Sequence, residues 1–271
     1  MLRKRRKRLL PPAKASGFPS RQFVMKKKVS AFILILCLAV SSVAGYKILS
    51  TLLEYKEGVD EYKSLLAYTS AAAQKEDEIE DGLPECPIDV DWDELKRINP
   101  DICGWLYVGA LDMSYPIVQG KTNDEYLHRT FKRQYNFSGS IFLDEQNNND
   151  FNDPNSIIYG HNMKNGSMFG ILKHLQTEEK YKEDPYFWIL TPESKNCYQM
   201  FSLKNVGTTS RTYLLFTGTD QKFLDWAAEQ KEESEISLDA PAFNLNSRIA
   251  TLSTCTNDSS HRFVVQGVKI N

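Results

Sequence analysis

An uncharged stretch of 18 residues, Val29 to Tyr46, is the strongest constraint on this chain. It contains Phe32-Ile-Leu-Ile-Leu-Cys37-Leu-Ala-Val40 and continues, past Lys47, into the apolar Ile48 to Leu53. As a helix it is about 27 Å long, close to the roughly 30 Å hydrocarbon core of a bilayer. Residues 1–28 hold eleven Lys and Arg and no acid; of 33 basic and 35 acidic residues in all, 22 basic and all 35 acidic follow Lys28, a balance of −13. The overall charge of −2 therefore describes neither part. One-sided positive charge predicts a cytoplasmic N-terminus and an extracytoplasmic remainder, anchored by one transmembrane helix over residues 29–53. A signal peptide cleaved near Ser42-Val43-Ala44 is the competing reading. A buried core helix does not account for eleven charges at one end, and Arg3 to Arg8 has no aromatic or folded context that would point to nucleic acid.

Beyond the anchor, residues 54–87 read as a helical stalk and linker. Tyr55, Val59, Tyr62, Leu66 and Ala73 recur at three- and four-residue steps, and Gly82-Leu-Pro84 is the expected stop. Residues 88–271 have a different texture. Asp91-Trp-Asp-Glu94 predicts a capped helix through Ile98. Short β-rich segments follow at Gly104–Val108, Ser114–Val118, Ser140–Leu143, Ser156–Tyr159, Phe187–Leu190, Cys197–Val206, Arg248–Cys255 and Phe263–Ile270. Helices are expected at Met168–Leu175 and Gln221–Glu233. Eight short strands with few helices predict a mainly β domain, a barrel or sandwich, rather than alternating βαβ units.

Of five cysteines, Cys37 lies in the apolar run, and Cys86, Cys103, Cys197 and Cys255 are too sparse for a disulfide framework. No spacing suggests zinc, and no metal or cofactor is expected. Cys255 ends the segment Arg248-Ile-Ala-Thr-Leu-Ser-Thr-Cys255. As a strand, that segment places Thr251, Ser253 and Cys255 on one face, with Leu252 and Thr254 on the other. Arg262 opens the next strand. If the two form a hairpin, cation and thiol meet at its mouth, where a positive charge favours thiolate and can donate to an oxyanion. His161 follows Gly160 at the end of Ser156–Tyr159, where it can project into a cleft. His128 and His174 sit in helical-looking contexts and are read as structural; His261 would take the strand face opposite Arg262.

The order His, Cys, Arg differs from papain-like enzymes, in which Cys comes first, and Leu252-Ser-Thr-Cys-Thr-Asn lacks the Ser-His-Gly-Cys context of L,D-transpeptidases. Thr251-Leu-Ser-Thr-Cys255 with Arg262, preceded by Ile157-Ile-Tyr-Gly-His161-Asn, resembles the class B sortases of Gram-positive bacteria. So do Asn99-Pro-Asp-Ile-Cys-Gly-Trp105, Tyr115-Pro-Ile-Val-Gln-Gly120, Asn123-Asp-Glu-Tyr-Leu127 and Gly139-Ser-Ile-Phe-Leu-Asp144. The resemblance implies an eight-stranded sortase-type β-barrel with a helix before it and another between its sixth and seventh strands. It also implies a cysteine transpeptidase that cleaves a Pro-x-Thr-Gly- or Pro-x-Thr-Asn-like signal on a secreted protein. The acceptor would be an amine of peptidoglycan or its lipid-linked precursor, or of a pilin. By the same resemblance Cys255 is the nucleophile, His161 the general acid and base, and Arg262 the oxyanion donor. Ser253 and Thr254 would line the signal groove, and the Thr256 N–H would complete the oxyanion hole. The short span from Cys255 to Arg262 implies a tighter loop than the class B pattern. A thiol peptidase without transfer, or a binding domain that has lost the chemistry, are the alternatives.

Overall fold

The computed structural model describes residues 21–72, 84–255 and 260–271. It divides into two compact units, residues 1–52 and Leu53–Asn271. Helix α1 (Arg21–Leu65) supplies all the described residues of the first. There Phe32, Leu34, Ile35, Leu38 and Val40 are each at least 60% exposed. Surface of that kind has hydrocarbon, not water, as its natural solvent. The helix is long and apolar enough to cross a membrane.

In the second unit the last turns of α1 pack down. Leu65 and Tyr62 are buried, and Tyr62 donates its hydroxyl to the Gly139 carbonyl at 2.7 Å. Asn136 Nδ2 donates to the Glu54 carbonyl (3.0 Å), Phe137 N to Glu54 Oε1 (3.0 Å) and Lys132 N to Glu61 Oε1 (2.9 Å). The helix expected to run to Gly82 ends at Leu65 instead. A 3-10 turn, Leu66–Tyr68, leads into β1 (Thr69–Ala71), which pairs antiparallel with β2 (Ile88–Val90). Periodicity carried the expectation past Leu65. The backbone pairing offered by β2 overrides it, at residues Thr69 and Ser70 with weak helix propensity. Leu65, not Leu66, is the buried residue of that turn. The rest of the expected helix, residues 73–82, lies outside the described residues.

Asp91 caps α2 (Trp92–Ile98) by accepting from Glu94 N at 3.1 Å, as the sequence predicts. Eight strands then close a barrel: β3 (Ile102–Val108), β4 (Met113–Val118), β5 (Ile141–Leu143), β6 (Asn155–His161), β7 (Tyr186–Leu190), β8 (Lys195–Gly207), β9 (Ile249–Cys255) and β10 (His261–Lys269). Their order around the barrel is β10-β8-β7-β3-β4-β5-β6-β9. The β4–β5 and β6–β9 pairs are parallel and the others antiparallel. Each strand overlaps an expected one. The helix expected at Met168–Leu175 is a 3-10 turn, Phe169–Ile171, followed by the four-residue α3 (His174–Thr177). The cause is local: Met168 has φ +53°, and a Cβ on Gly170 would lie 2.2 Å from the Met163 carbonyl oxygen.

Between β8 and β9, the barrel's sixth and seventh strands, stands α4 (Gln221–Glu232), capped by Asp220 accepting from Phe223 N at 3.1 Å. Phe223, Trp226, Ala227 and Gln230 form its buried face at helical spacing. Two apolar clusters result. One fills the barrel and includes Ala250, Leu252 and Ile158; the other lies under α4 and includes Ile249, Phe201 and Val268. Alternate residues of β9 thus join opposite layers, so the strand is buried on both faces. At roughly 1.5–3 kcal/mol for each large apolar side chain fully buried, the two layers hold β9 at the centre of the stable part of the molecule.

Candidate active site

Strand β9 lies between β6 and β10. With β6 it runs parallel, and His161 is the register partner of Cys255. With β10 it runs antiparallel, Val264 opposite Ser253. Two residues further along the same register, Arg262 comes opposite Cys255. Three neighbouring strands therefore carry His161, Cys255 and Arg262 in one row across the sheet. Ala250 and Leu252 occupy the inner face of β9, so Thr251 and Ser253 occupy the outer one. The β9–β10 hairpin expected from the sequence is present, and β6 lies parallel to β9 on its other side.

Buried polar groups fix this row from below. Asn155 Nδ2 donates to the carbonyls of Thr212 (3.2 Å) and Leu214 (2.9 Å). Thr251 Oγ1 donates to Asn155 Oδ1 at 2.7 Å and accepts from Gln266 Nε2 at 3.1 Å. One step nearer the site, the hydroxyls of Ser253 and Tyr213 are 2.9 Å apart. Strands β6, β9 and β10 are thus stitched together, and the turn Arg211–Tyr213 is stitched to them. Thr254 faces the other way; its Oγ1 accepts from Phe263 N at 2.9 Å. Ser253 and Thr254 are both buried. Thr256 lies outside the described residues.

His161 is 6% exposed, and its Nε2 lies 2.6 Å from the Leu127 carbonyl oxygen. A carbonyl only accepts, so Nε2 carries a proton and Nδ1 is the nitrogen that can exchange one. Burial pushes the His161 pKa below its ordinary value; the Leu127 carbonyl opposes that, and the charges of His128 and Arg262 add to it. Gly160 gives the strand end its shape, for a Cβ there would lie 2.5 Å from Ile141 Cδ1 and 2.7 Å from Phe169 Cγ.

The other histidines divide in a way the sequence did not foresee. His174 pairs with Glu178, and the exposed His261 contacts Ser260 Oγ at 2.9 Å. His128, expected to be structural, stacks on the His161 ring with centroids 5.6 Å apart and planes at 22°. Nothing local signals this, because the partners are 33 positions apart and meet only in the closed barrel. Tyr213 was missed for the same reason. A cavity of about 490 Å³ between the end of α1 and strands β3 and β4 reaches Met163 and Met168 but not His161. The backbone register thus brings position 255 beside His161 on β6 and the start of β10, with the Arg262 charge felt at His161.

The model of the sortase domain family matches residues 106–270. The chain belongs to the sortase family. Sortase B of Listeria monocytogenes is 32% identical over 238 residues, which cover 85% of this chain and 92% of that protein. The structure of Clostridium perfringens sortase B superposes with a TM-score of 0.62 at 33% identity, covering 67% of this chain and all of that one. A Staphylococcus aureus sortase B–substrate complex superposes with a TM-score of 0.63 at 31% identity, covering 66% of this chain and 84% of that one. These matches identify a class B sortase, a cysteine transpeptidase acting on sorting signals. The barrel and the helix between its sixth and seventh strands agree with that class.

Proposed function

We propose that this sortase cleaves a Pro-x-Thr-Gly- or Pro-x-Thr-Asn-like signal and transfers the secreted protein to an amine of the cell wall, its lipid-linked precursor or a pilin. The row of His161, Cys255 and Arg262 is the observation that carries the reading. The Cys255 thiolate attacks the threonine carbonyl carbon, and the resulting oxyanion accepts hydrogen bonds from the Arg262 guanidinium and the Thr256 N–H. As the C–N bond breaks, the leaving amine takes the proton from His161 Nδ1, and a thioester remains. The acceptor amine then attacks the thioester, its proton returns to His161, and the thiolate departs. Ser253 forms the floor beneath the bound threonine, and Thr254, expected to line the groove, holds β10 in place from the other face.

A free thiol is only about 3% thiolate at pH 7, and burial lowers the imidazolium fraction of His161 as well. The flanking cation is therefore needed to keep the thiolate populated. The apolar α1 anchors the enzyme, with residues 1–28 in the cytoplasm and the barrel outside, in keeping with the one-sided charge.

The test is a peptide-library cleavage assay with and without an added amine. Amide formation with the amine is expected. Release of free acid regardless of amine would favour a thiol peptidase, and lack of reaction with a thiol probe at Cys255 would favour a non-catalytic binding domain.

A further inference from the structure

Two neighbouring residues of one loop hold His161 from two directions. The Leu127 carbonyl takes the Nε2–H edge of the ring, and the His128 imidazole lies against its face, with centroids 5.6 Å apart and planes 22° from parallel. The loop is braced. The His128 carbonyl accepts from Asn136 N at 3.0 Å, and Asn136 Nδ2 reaches the Glu54 carbonyl of α1. The buried Tyr126 accepts at its carbonyl from Ser140 N (3.0 Å), while its hydroxyl donates to Asp101 Oδ2 at 2.6 Å. His128 Nδ1 is shielded and meets no hydrogen-bond partner among the described residues. Stacking and backbone, rather than a bond at that atom, set the ring's place.

The groups facing the pair are the Arg262 charge from β10 and, on the far side of His128, the Tyr135 ring at 6.2 Å. We propose that His128 is a positioning residue for the acid–base imidazole, fixing its plane from one face while the Leu127 carbonyl fixes its edge, an inference that rests on the catalytic reading of His161. A charge on His128, across the stack, acts on His161 in the same direction as burial, against its protonation.

The test uses the full-length chain in detergent micelles with ¹³C-labelled histidine; four histidines give four assignable signals. In His128→Phe, which keeps a stacked ring and removes the charge, the His161 pKa should rise. His128→Ala should lower kcat for acylation about tenfold with little change in KM, and His128→Phe should restore most of that loss while moving the pH profile with the His161 titration. An unchanged His161 titration in His128→Phe, or a parental kcat in His128→Ala, overturns the proposal. The titration is read without turnover, so failure of His161→Gln to impair acylation would instead strike at the catalytic reading.

Discussion

Thr254 is where the mouth of the site can be loosened with the smallest change. Paired residues of β9 and β10 extend only to Ser253 and Val264. Beyond them, the Thr254 Oγ1 bond from Phe263 N, 2.9 Å and buried, holds the strands together. That bond lies one residue from Cys255 on one strand and one from Arg262 on the other. Thr254→Val keeps shape, branching and strand propensity and removes only the acceptor. A buried N–H left without its partner costs about 1–3 kcal/mol. For a domain of this size that lowers the melting temperature by roughly 2–12 °C. Freed from this clamp, Arg262 drifts from its position opposite the thiol, and acylation should fall by at least about tenfold, because a misplacement of 1 Å can cost on the order of 10²-fold. Thr254→Ser, which keeps the oxygen, should recover most of both losses. The checks are thermal melting followed by near-ultraviolet circular dichroism and single-turnover acylation of a sorting peptide. If Thr254→Val melts with the parent and acylates at the parental rate, the clamp has no role in the register.

Arg262→Lys keeps the charge but loses the planar fork; acylation should fall about 10²–10³-fold, the range for a lost oxyanion donor, while iodoacetamide alkylation of Cys255 changes much less. Equal losses in both would make the arginine a thiol activator only. Gly160→Ala drives a methyl into Ile141 and the buried Phe169 and should destabilise by about 1–3 kcal/mol, with acylation impaired because His161 is the next residue; a neutral effect on melting would contradict the packing. His161 has a lowered folded-state pKa, so the unfolded chain takes up its proton first as pH falls through about 6.5, and stability is lost from there down to the folded-state pKa. Melting at pH 7.5 and 5.5 should therefore show a larger drop for the parent than for His161→Gln, and equal drops would refute the assignment.

Much of this architecture was legible from short runs of β-branched and aromatic residues between turn signals. The cap at Asp91, the buried face of α4 and the alternation of Thr251 and Ser253 all follow from local spacing, because period two and period 3.6 are properties of a single segment. What was not legible depends on distant partners. Leu65 ends α1 because β2 pairs with the chain just beyond it. His128 and Tyr213 join the site only when loops meet β6 and β9. Asn155 and Gln266, polar residues inside buried strands, reveal their purpose only through Thr251 between them.

Intact-mass spectrometry of the full-length chain mixed with a peptide carrying the Pro-x-Thr-Gly or Pro-x-Thr-Asn signal bears most directly on the mechanism. A covalent adduct equal to the acyl portion up to threonine is expected on the parent, mapped to Cys255 and absent from Cys255→Ala. Added amine should discharge it into an amide, and His161→Ala should slow the cycle by at least about 10²-fold. An adduct that forms on Cys255→Ala, or cleavage of the signal with no adduct on Cys255 at any time, would contradict acyl transfer through this thiol.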